Sequence, residues 1–133
     1  MIPDEWVMSD WELPKNQEEA QAMFQYRPTT LEQAILFVKE GVAESKLLEW
    51  AYFPKQQAIS LAHFSLGMWI RNQLVYGYGS PYTKELEKSR LQPDDISSII
   101  LDALWNNLNG IQHSPEYYIK NKTTFEPPEL IWD

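Results

Sequence analysis

Hydrophobic residues recur at helical spacing along most of this chain. In residues 31–40, for example, Leu31, Ala34, Ile35 and Val38 fall on one face, and Gly41 follows. A comparable stripe follows Pro93, and its members are Ile96, Ile99, Ile100, Ala103, Leu104 and Leu108. The pattern predicts helices over residues 17–25, 31–40, 55–74, 82–91 and from Pro93 to about Gly110. It predicts a shorter helix or a turn over 44–50.

Helix-start signals agree with this spacing. Thr29 or Thr30, followed by Glu32 and Gln33, is typical of a capping signal. Pro93 suits a first helical position, where no amide partner is lost, and the next two residues are acids near the positive end of the helix dipole.

Residues 55–74 differ because their apolar positions cover most of the helix circumference. One row contains Ile59, Ala62, Leu66 and Ile70, and a second contains Ala58, Leu61, Ser65 and Trp69. A helix apolar over so wide an arc is normally surrounded. We therefore expect this segment to form the centre of the fold.

The 133 residues are enough for one domain with a single core. We predict an all-α, compact single-domain bundle of five to six helices around residues 55–74. Its helical core covers about 16–110, with an N-terminal arm at 1–15 and a C-terminal tail at 111–133. The alternative is an α+β fold with edge strands at 116–120 and 129–132.

Composition narrows the functional classes. The net charge of −8 repels nucleic-acid backbones and anionic lipids, so neither is an expected partner. No cysteine is present, which fits a reducing compartment. The N-terminus has acids where a signal peptide needs basic residues, and polar residues interrupt the apolar stretch 59–76. We predict a cytoplasmic protein.

A polar stripe lies on the otherwise apolar segment 55–74. At 100° per residue, Gln56, Ser60, His63, Gly67 and Arg71 share an arc of roughly 80° on a continuous helix. Glycine permits close approach, arginine offers a planar fork for a carboxylate, and histidine titrates near neutrality.

Several interpretations of the stripe remain open. It could be the solvent face of an amphipathic helix. Arg71 could bridge to Asp94 and Asp95 and so lock the last long helix onto the central one. Alternatively, a cleft could bind a ligand or partner, with Asn72 beside Arg71. The candidate ligand or partner residues here are Ser60, His63, Gly67, Arg71, Asn72, Asp94 and Asp95.

Motifs for specific chemistries are missing from the sequence. The two histidines are not at metal-ligand spacing, and neither a phosphate-binding glycine loop nor a nucleophile elbow occurs. We therefore predict no catalytic residue, no metal and no cofactor.

Both ends of the chain combine tryptophan with acidic residues. Trp6 and Trp11 lie among four acids, and Trp132 ends an acidic, proline-containing tail. Such aromatic residues either dock on their own domain or anchor a partner. Removing residues 124–133 would distinguish these cases, since loss of a docked tail lowers the melting temperature.

Three stretches of the sequence resemble a known family. The first is Leu61 to Asn72, with the pattern His-Phe-x-Leu-Gly-x-x-Ile-Arg-Asn. The others are Pro93-Asp94-Asp95-x-Ser and the Leu-Trp pair at 104–105. Over about residues 28–108 they make the chain similar to an uncharacterised bacterial family of small helical domains. It departs from that family at Gln92, where histidine is usual, and at 75–78, where a Trp-Gly-Leu-Trp-like run is usual. The resemblance implies a fold and a polar centre but no activity.

Three hypotheses for function follow. The first is a protein-binding module, such as an immunity or antitoxin-type protein that covers a basic partner. The second is a small ligand-binding or enzymatic domain that uses His63, Arg71 and Asp94-Asp95. The third is a structural or regulatory subunit that self-associates. The sequence favours the first, because the chain is small, acidic, aromatic-rich and without catalytic motifs.

Overall fold

A computed structural model describes residues 27–76 and 79–121. Within these ranges the chain forms seven α-helices and one π-helical turn, and no strand. The prediction of a compact all-α fold is confirmed. The elements are α1 (Leu31–Gly41), α2 (Glu44–Ala51), α3 (Lys55–Ala62), α4 (Leu66–Ile70), the π-helical turn (Arg71–Val75), α5 (Pro81–Glu87), α6 (Pro93–Leu108) and α7 (Pro115–Lys120).

Side chains cap the starts of α1 and α6, and at α1 the cap is Thr30 rather than Thr29. The Thr30 hydroxyl accepts a hydrogen bond from the backbone N–H of Gln33 at 3.1 Å, which satisfies one free donor at the start of α1. At α6 the Asp95 carboxylate reaches back to the backbone N–H of Gln92 at 3.0 Å. Local side-chain chemistry therefore places both helices where the sequence predicted them.

Helix α6 packs against more of the fold than any other described element. It contacts α1, α2, α3, α4, the π-helical turn and α7. Its inward side chains are at most 1% exposed, and they are Ile96, Ile99, Ile100, Leu101, Ala103 and Leu104. The hydrophobic effect therefore holds the described helices around this one.

The single helix predicted for residues 55–74 is corrected to three consecutive elements. Helix α3 ends at Ala62, α4 begins at Leu66, and the π-helical turn follows at once. Ser65 leaves the helical region, with φ −116° and ψ −93°, and its hydroxyl donates to the Leu61 carbonyl at 3.2 Å. The segment is still interior, because Ile59, Leu66, Ile70 and Leu74 are at most 1% exposed.

The remaining predicted elements have mixed outcomes. The helix predicted over 82–91 is the shorter α5, after which Arg90 takes a left-handed conformation with φ 64°. Residues 116–120 belong to α7, so the edge strand of the alternative α+β fold does not form there. The predicted helix 17–25 and the strand 129–132 lie outside the described residues. No helix in the described ranges is long and apolar enough to cross a membrane.

Candidate functional site

The Arg71 side chain forms a buried junction between three parts of the fold. It is 2% exposed. Its Nη2 donates to the His63 carbonyl at 2.7 Å, and its Nη1 donates to the Ser97 hydroxyl at 2.8 Å. Its Nε lies 3.7 Å from Oδ1 of Asp94. Arg71 thus connects the break between α3 and α4 to the first turns of α6, and we call these four residues the Arg71 junction.

His63 joins the junction through both its backbone and its ring. Nε2 lies 4.0 Å from Oδ1 of Asp94, and the ring meets Phe64 edge-on with centroids 4.7 Å apart. Burial lowers the pKa of His63, and the nearby Arg71 cation lowers it further, while Asp94 acts in the opposite direction. The neutral imidazole is therefore favoured near neutral pH.

Gly67 allows the junction to close. A Cβ atom added there would lie 3.0 Å from the Ala62 carbonyl oxygen, 3.2 Å from Nη1 of Arg71 and 3.4 Å from Cδ1 of Leu101. The guanidinium and α6 therefore approach the α4 backbone closely at this position.

The other predicted site residues lie apart from the junction. Gln56 and Asn72 are exposed and Ser60 is half-buried, because the break after Ala62 ends the continuous polar arc. The Asp95 carboxylate caps α6. The prediction that Arg71 meets an acid of the Pro-Asp-Asp turn holds for Asp94. Trp6, Trp11 and Trp132 lie outside the described residues.

The geometry of the junction suits a structural connection. Each nitrogen atom of the Arg71 guanidinium faces a protein oxygen, two of them at hydrogen-bonding distance. The planar guanidinium group of Arg71 therefore already contacts groups of the protein itself. The Asp94 side chain is 65% exposed and is the part of the junction most accessible to solvent.

A buried acidic residue elsewhere in the fold was not identified from the sequence. Asp102 on α6 is 1% exposed, and its carboxylate lies 3.9 Å from Nζ of Lys55 at the start of α3. Nζ also lies 6.0 Å from the ring centre of Trp105. The available signal was an acid embedded in the apolar run of residues 99–104. No group of three or more potential metal ligands occurs in the part of the chain that is described.

A cluster near the start of α1, where a half-buried arginine meets buried aromatic residues, was also not predicted from the sequence. Arg27 donates to the Gln73 carbonyl in the π-helical turn and lies over the Phe37 ring. Nearby, the backbone N–H of Tyr82 donates to the Pro28 carbonyl. Burial raises the pKa of the Tyr82 phenol to about 12, and its hydroxyl has no hydrogen-bond partner within the described ranges.

The end of α2 presents apolar side chains to solvent. Leu48 is 49% exposed, Tyr52 91% and Phe53 40%, and we call these three residues the α2 corner. A cavity of about 370 Å³ adjoins Leu48. Its lining residues come from α1, α2 and α6, and they are Lys39, Glu44, Leu47, Leu48, Asn107 and Leu108.

Side chains near the end of α6 hold the α2 corner in place. The Trp105 indole donates to the Phe53 carbonyl at 3.1 Å. The Asn109 side-chain amide donates to the Ala51 carbonyl at 3.2 Å and to the Trp105 carbonyl at 2.9 Å. The backbone that carries Tyr52 is thus fixed on both sides, and the phenol projects from a rigid base.

Charge is distributed unevenly along the chain. The described ranges contain nine lysines and arginines against ten acids. The other nine of the 19 acids belong to residues 1–26 and 122–133, which contain only two lysines and no arginine. The helical part is therefore nearly balanced in charge, while the sequence at both ends carries most of the negative excess.

A family model matches residues 27–108, and its description is a domain of unknown function (DUF6794). The matched range contains α1 through α6, and so both the Arg71 junction and the α2 corner. Neither a curated protein nor a solved structure matches the chain.

Proposed function

This chain belongs to the DUF6794 family of domains of unknown function, and from its geometry we propose that it is a protein-binding module whose α2 corner engages a basic partner protein. The observation that carries this proposal is the exposure of Tyr52, at 91%, on a backbone fixed by Trp105 and Asn109. Large aromatic side chains on rigid supports are typical anchors of protein interfaces.

The cavity beside Leu48 supports a peptide or helix as the occupant. Its volume of about 370 Å³ accommodates one or two apolar side chains, and Leu47, Leu48 and Leu108 supply apolar surface. Lys39 and Glu44 at the same cavity offer one charge of each sign to polar groups of the partner. An apolar anchor from the partner would thus lie next to Tyr52.

The charge of the chain supports a basic partner. A net charge of −8 attracts a cationic protein over long distances and accelerates their encounter. Since most of the excess belongs to residues 1–26 and 122–133, attraction and apolar contact would come from different parts of the sequence. Inhibition of a basic toxin in the cytoplasm, as by an immunity or antitoxin-type protein, is one role with these requirements.

The ligand-binding alternative has less support from the geometry. Arg71, the group best suited to bind an anion, already contacts three protein oxygens. His63 is 5% exposed and its basicity is lowered by burial. These features favour a structural role for the junction.

Photo-crosslinking tests the proposal directly. A photoreactive phenylalanine at position 52 is introduced into the full chain in its source cell, and adducts are identified by mass spectrometry. The control carries the same group at Phe64, which is 62% exposed in the break between α3 and α4. We expect a basic protein to be crosslinked from position 52 and not from position 64.

Binding of the purified partner then provides the quantitative test. We expect Tyr52→Ala to weaken affinity at least about tenfold, which corresponds to about 1.4 kcal/mol, and Phe64→Ala to leave it unchanged. Affinity should also fall as salt is raised. Equal affinities for the two variants would refute the proposal. A self-adduct from position 52, together with dimers that Tyr52→Ala disrupts, would replace it with self-association.

A further inference from the structure

Asn109 and Gly110 follow the last turn of α6 and form the only Asn-Gly pair in the sequence. Gly110 has φ +73°, and a Cβ added there would meet nothing within 4 Å. Asn109 is exposed to solvent. We propose that Asn109 is a site of spontaneous deamidation, which the fold slows by holding its side-chain amide and which breaks the connection between α2 and α6 when it occurs.

The chemistry requires only water. The backbone nitrogen of Gly110, after losing its proton to solvent base, attacks Cγ of Asn109. A carbon–nitrogen bond forms, the bond from Cγ to Nδ2 breaks, and the departing nitrogen takes one proton from water and leaves as ammonia. Water then opens the cyclic imide at either carbonyl, giving aspartate or isoaspartate. Glycine favours the attack because it has no side chain to obstruct the approach of its nitrogen.

The folded structure opposes each part of this reaction. Nδ2 of Asn109 donates to the carbonyls of Ala51 and Trp105, and the Gly110 nitrogen donates to the Asn107 carbonyl at 3.2 Å. Asn109 has ψ 13°, which directs the Gly110 nitrogen away from Cγ, so ring closure needs a backbone rotation. The hydrogen bond from the Ile111 N–H to the Asn106 carbonyl, at 2.8 Å, restrains that rotation.

Deamidation would remove the two hydrogen bonds that the Asn109 side-chain amide donates. The amide presents two donor hydrogens to two carbonyl oxygens, whereas the product carboxylate has none at neutral pH. It would instead place negative charge against two acceptors. The end of α2 would then retain only the bond from Trp105 to the Phe53 carbonyl among the side-chain connections described for this corner. The chemistry is independent of any partner, so this inference does not rest on the proposed function.

The first test compares modification rates in the native and the denatured chain. Full-length protein is incubated at mildly alkaline pH with and without denaturant, and the peptide containing residues 106–110 is followed by mass spectrometry. Asn107, which Leu108 follows, is the internal control. We expect Asn109 to react faster than Asn107 in denaturant. In native buffer we expect its rate to fall at least about tenfold. Equal rates for the two asparagines in denaturant, or equal Asn109 rates in both buffers, would overturn the inference.

The second test examines the consequence for the fold. Asn109→Asp reproduces the aspartate product, and Asn109→Ala removes the donors without adding charge. We expect both variants to unfold at lower urea concentration than the wild-type chain, with Asn109→Asp the less stable above the pKa of its carboxyl. An Asn109→Asp variant as stable as wild type would overturn the claim that deamidation breaks the connection.

Discussion

Replacing Arg71 by alanine removes the side chain that joins the break after α3 to the start of α6. The His63 carbonyl loses its hydrogen bond from the charged Arg71 side chain, and loss of such a bond costs about 1.5–3 kcal/mol. Ser97 loses one partner, although its hydroxyl still donates to the Asp94 carbonyl at 3.1 Å. With the lost packing of the arginine stem, we expect a destabilisation of roughly 3–4 kcal/mol.

The ion pair with Asp94 adds little to this sum. The Asp94 side chain is 65% exposed, so water screens its charge, and the pair is worth at most about 1 kcal/mol. Asp94→Asn should therefore destabilise the protein far less than Arg71→Ala. Arg71→Lys, whose single ammonium group reaches one acceptor well, should fall between the two.

Urea denaturation followed by circular dichroism measures these differences. For a chain of this length, the Arg71→Ala loss corresponds to a melting temperature lower by roughly 10–15 °C. Lys88→Ala is the matched control, since its pair with Glu85 lies on the surface and should contribute less than about 0.5 kcal/mol. If Arg71→Ala stayed within about 1 kcal/mol of wild type, or Asp94→Asn matched its loss, the assigned role of the junction would be refuted.

Three further substitutions test other parts of the structure. Arg90→Gly should raise the free energy of unfolding by about 0.5–1 kcal/mol, because φ 64° strains a residue with a side chain; a lower melting temperature would contradict this. Because the pKa of His63 is lowered on folding from 6.5, the unfolded chain takes up its proton first, and stability should fall as pH drops below about 6.5. Urea midpoints on either side of that pH should show a smaller fall in His63→Gln, and equal falls would exclude the histidine as the cause. Tyr82→Phe should leave stability unchanged or slightly raised, since its buried hydroxyl has no hydrogen-bond partner within the described residues; a loss above about 1 kcal/mol in urea would indicate a missing contact.

Helix positions were predictable where a local signal fixes them. The bond from the Gln33 N–H to Thr30 and the bond from the Gln92 N–H to Asp95 each span three residues, and the period of the stripe in α6 spans four turns. Such features depend on neighbours in the sequence and need no knowledge of the fold. The all-α class followed from them.

The break after Ala62 was not predictable in the same way. No proline or glycine stands at residues 62–66, and the apolar spacing continues through them. The contacts at the break are not between sequence neighbours. The Arg71 guanidinium donates to the His63 carbonyl, eight residues earlier, and to the Ser97 hydroxyl on α6. The spacing of polar residues identified Arg71 as a candidate and suggested Asp94 as one of its partners. It could not identify the His63 backbone carbonyl as a hydrogen-bond acceptor of Arg71.

The position of α6 along the chain determines when the other helices can be covered. Leu66, Ile70 and Leu74 are fully buried in the folded protein, yet the ribosome makes residues 93–108 after all three of them. During synthesis, α1 to α4 emerge from the ribosome without the helix they pack against. The parts of their apolar faces that pack on α6 therefore stay uncovered until nearly the whole family domain has been translated. Chaperone binding or aggregation competes with folding during this interval.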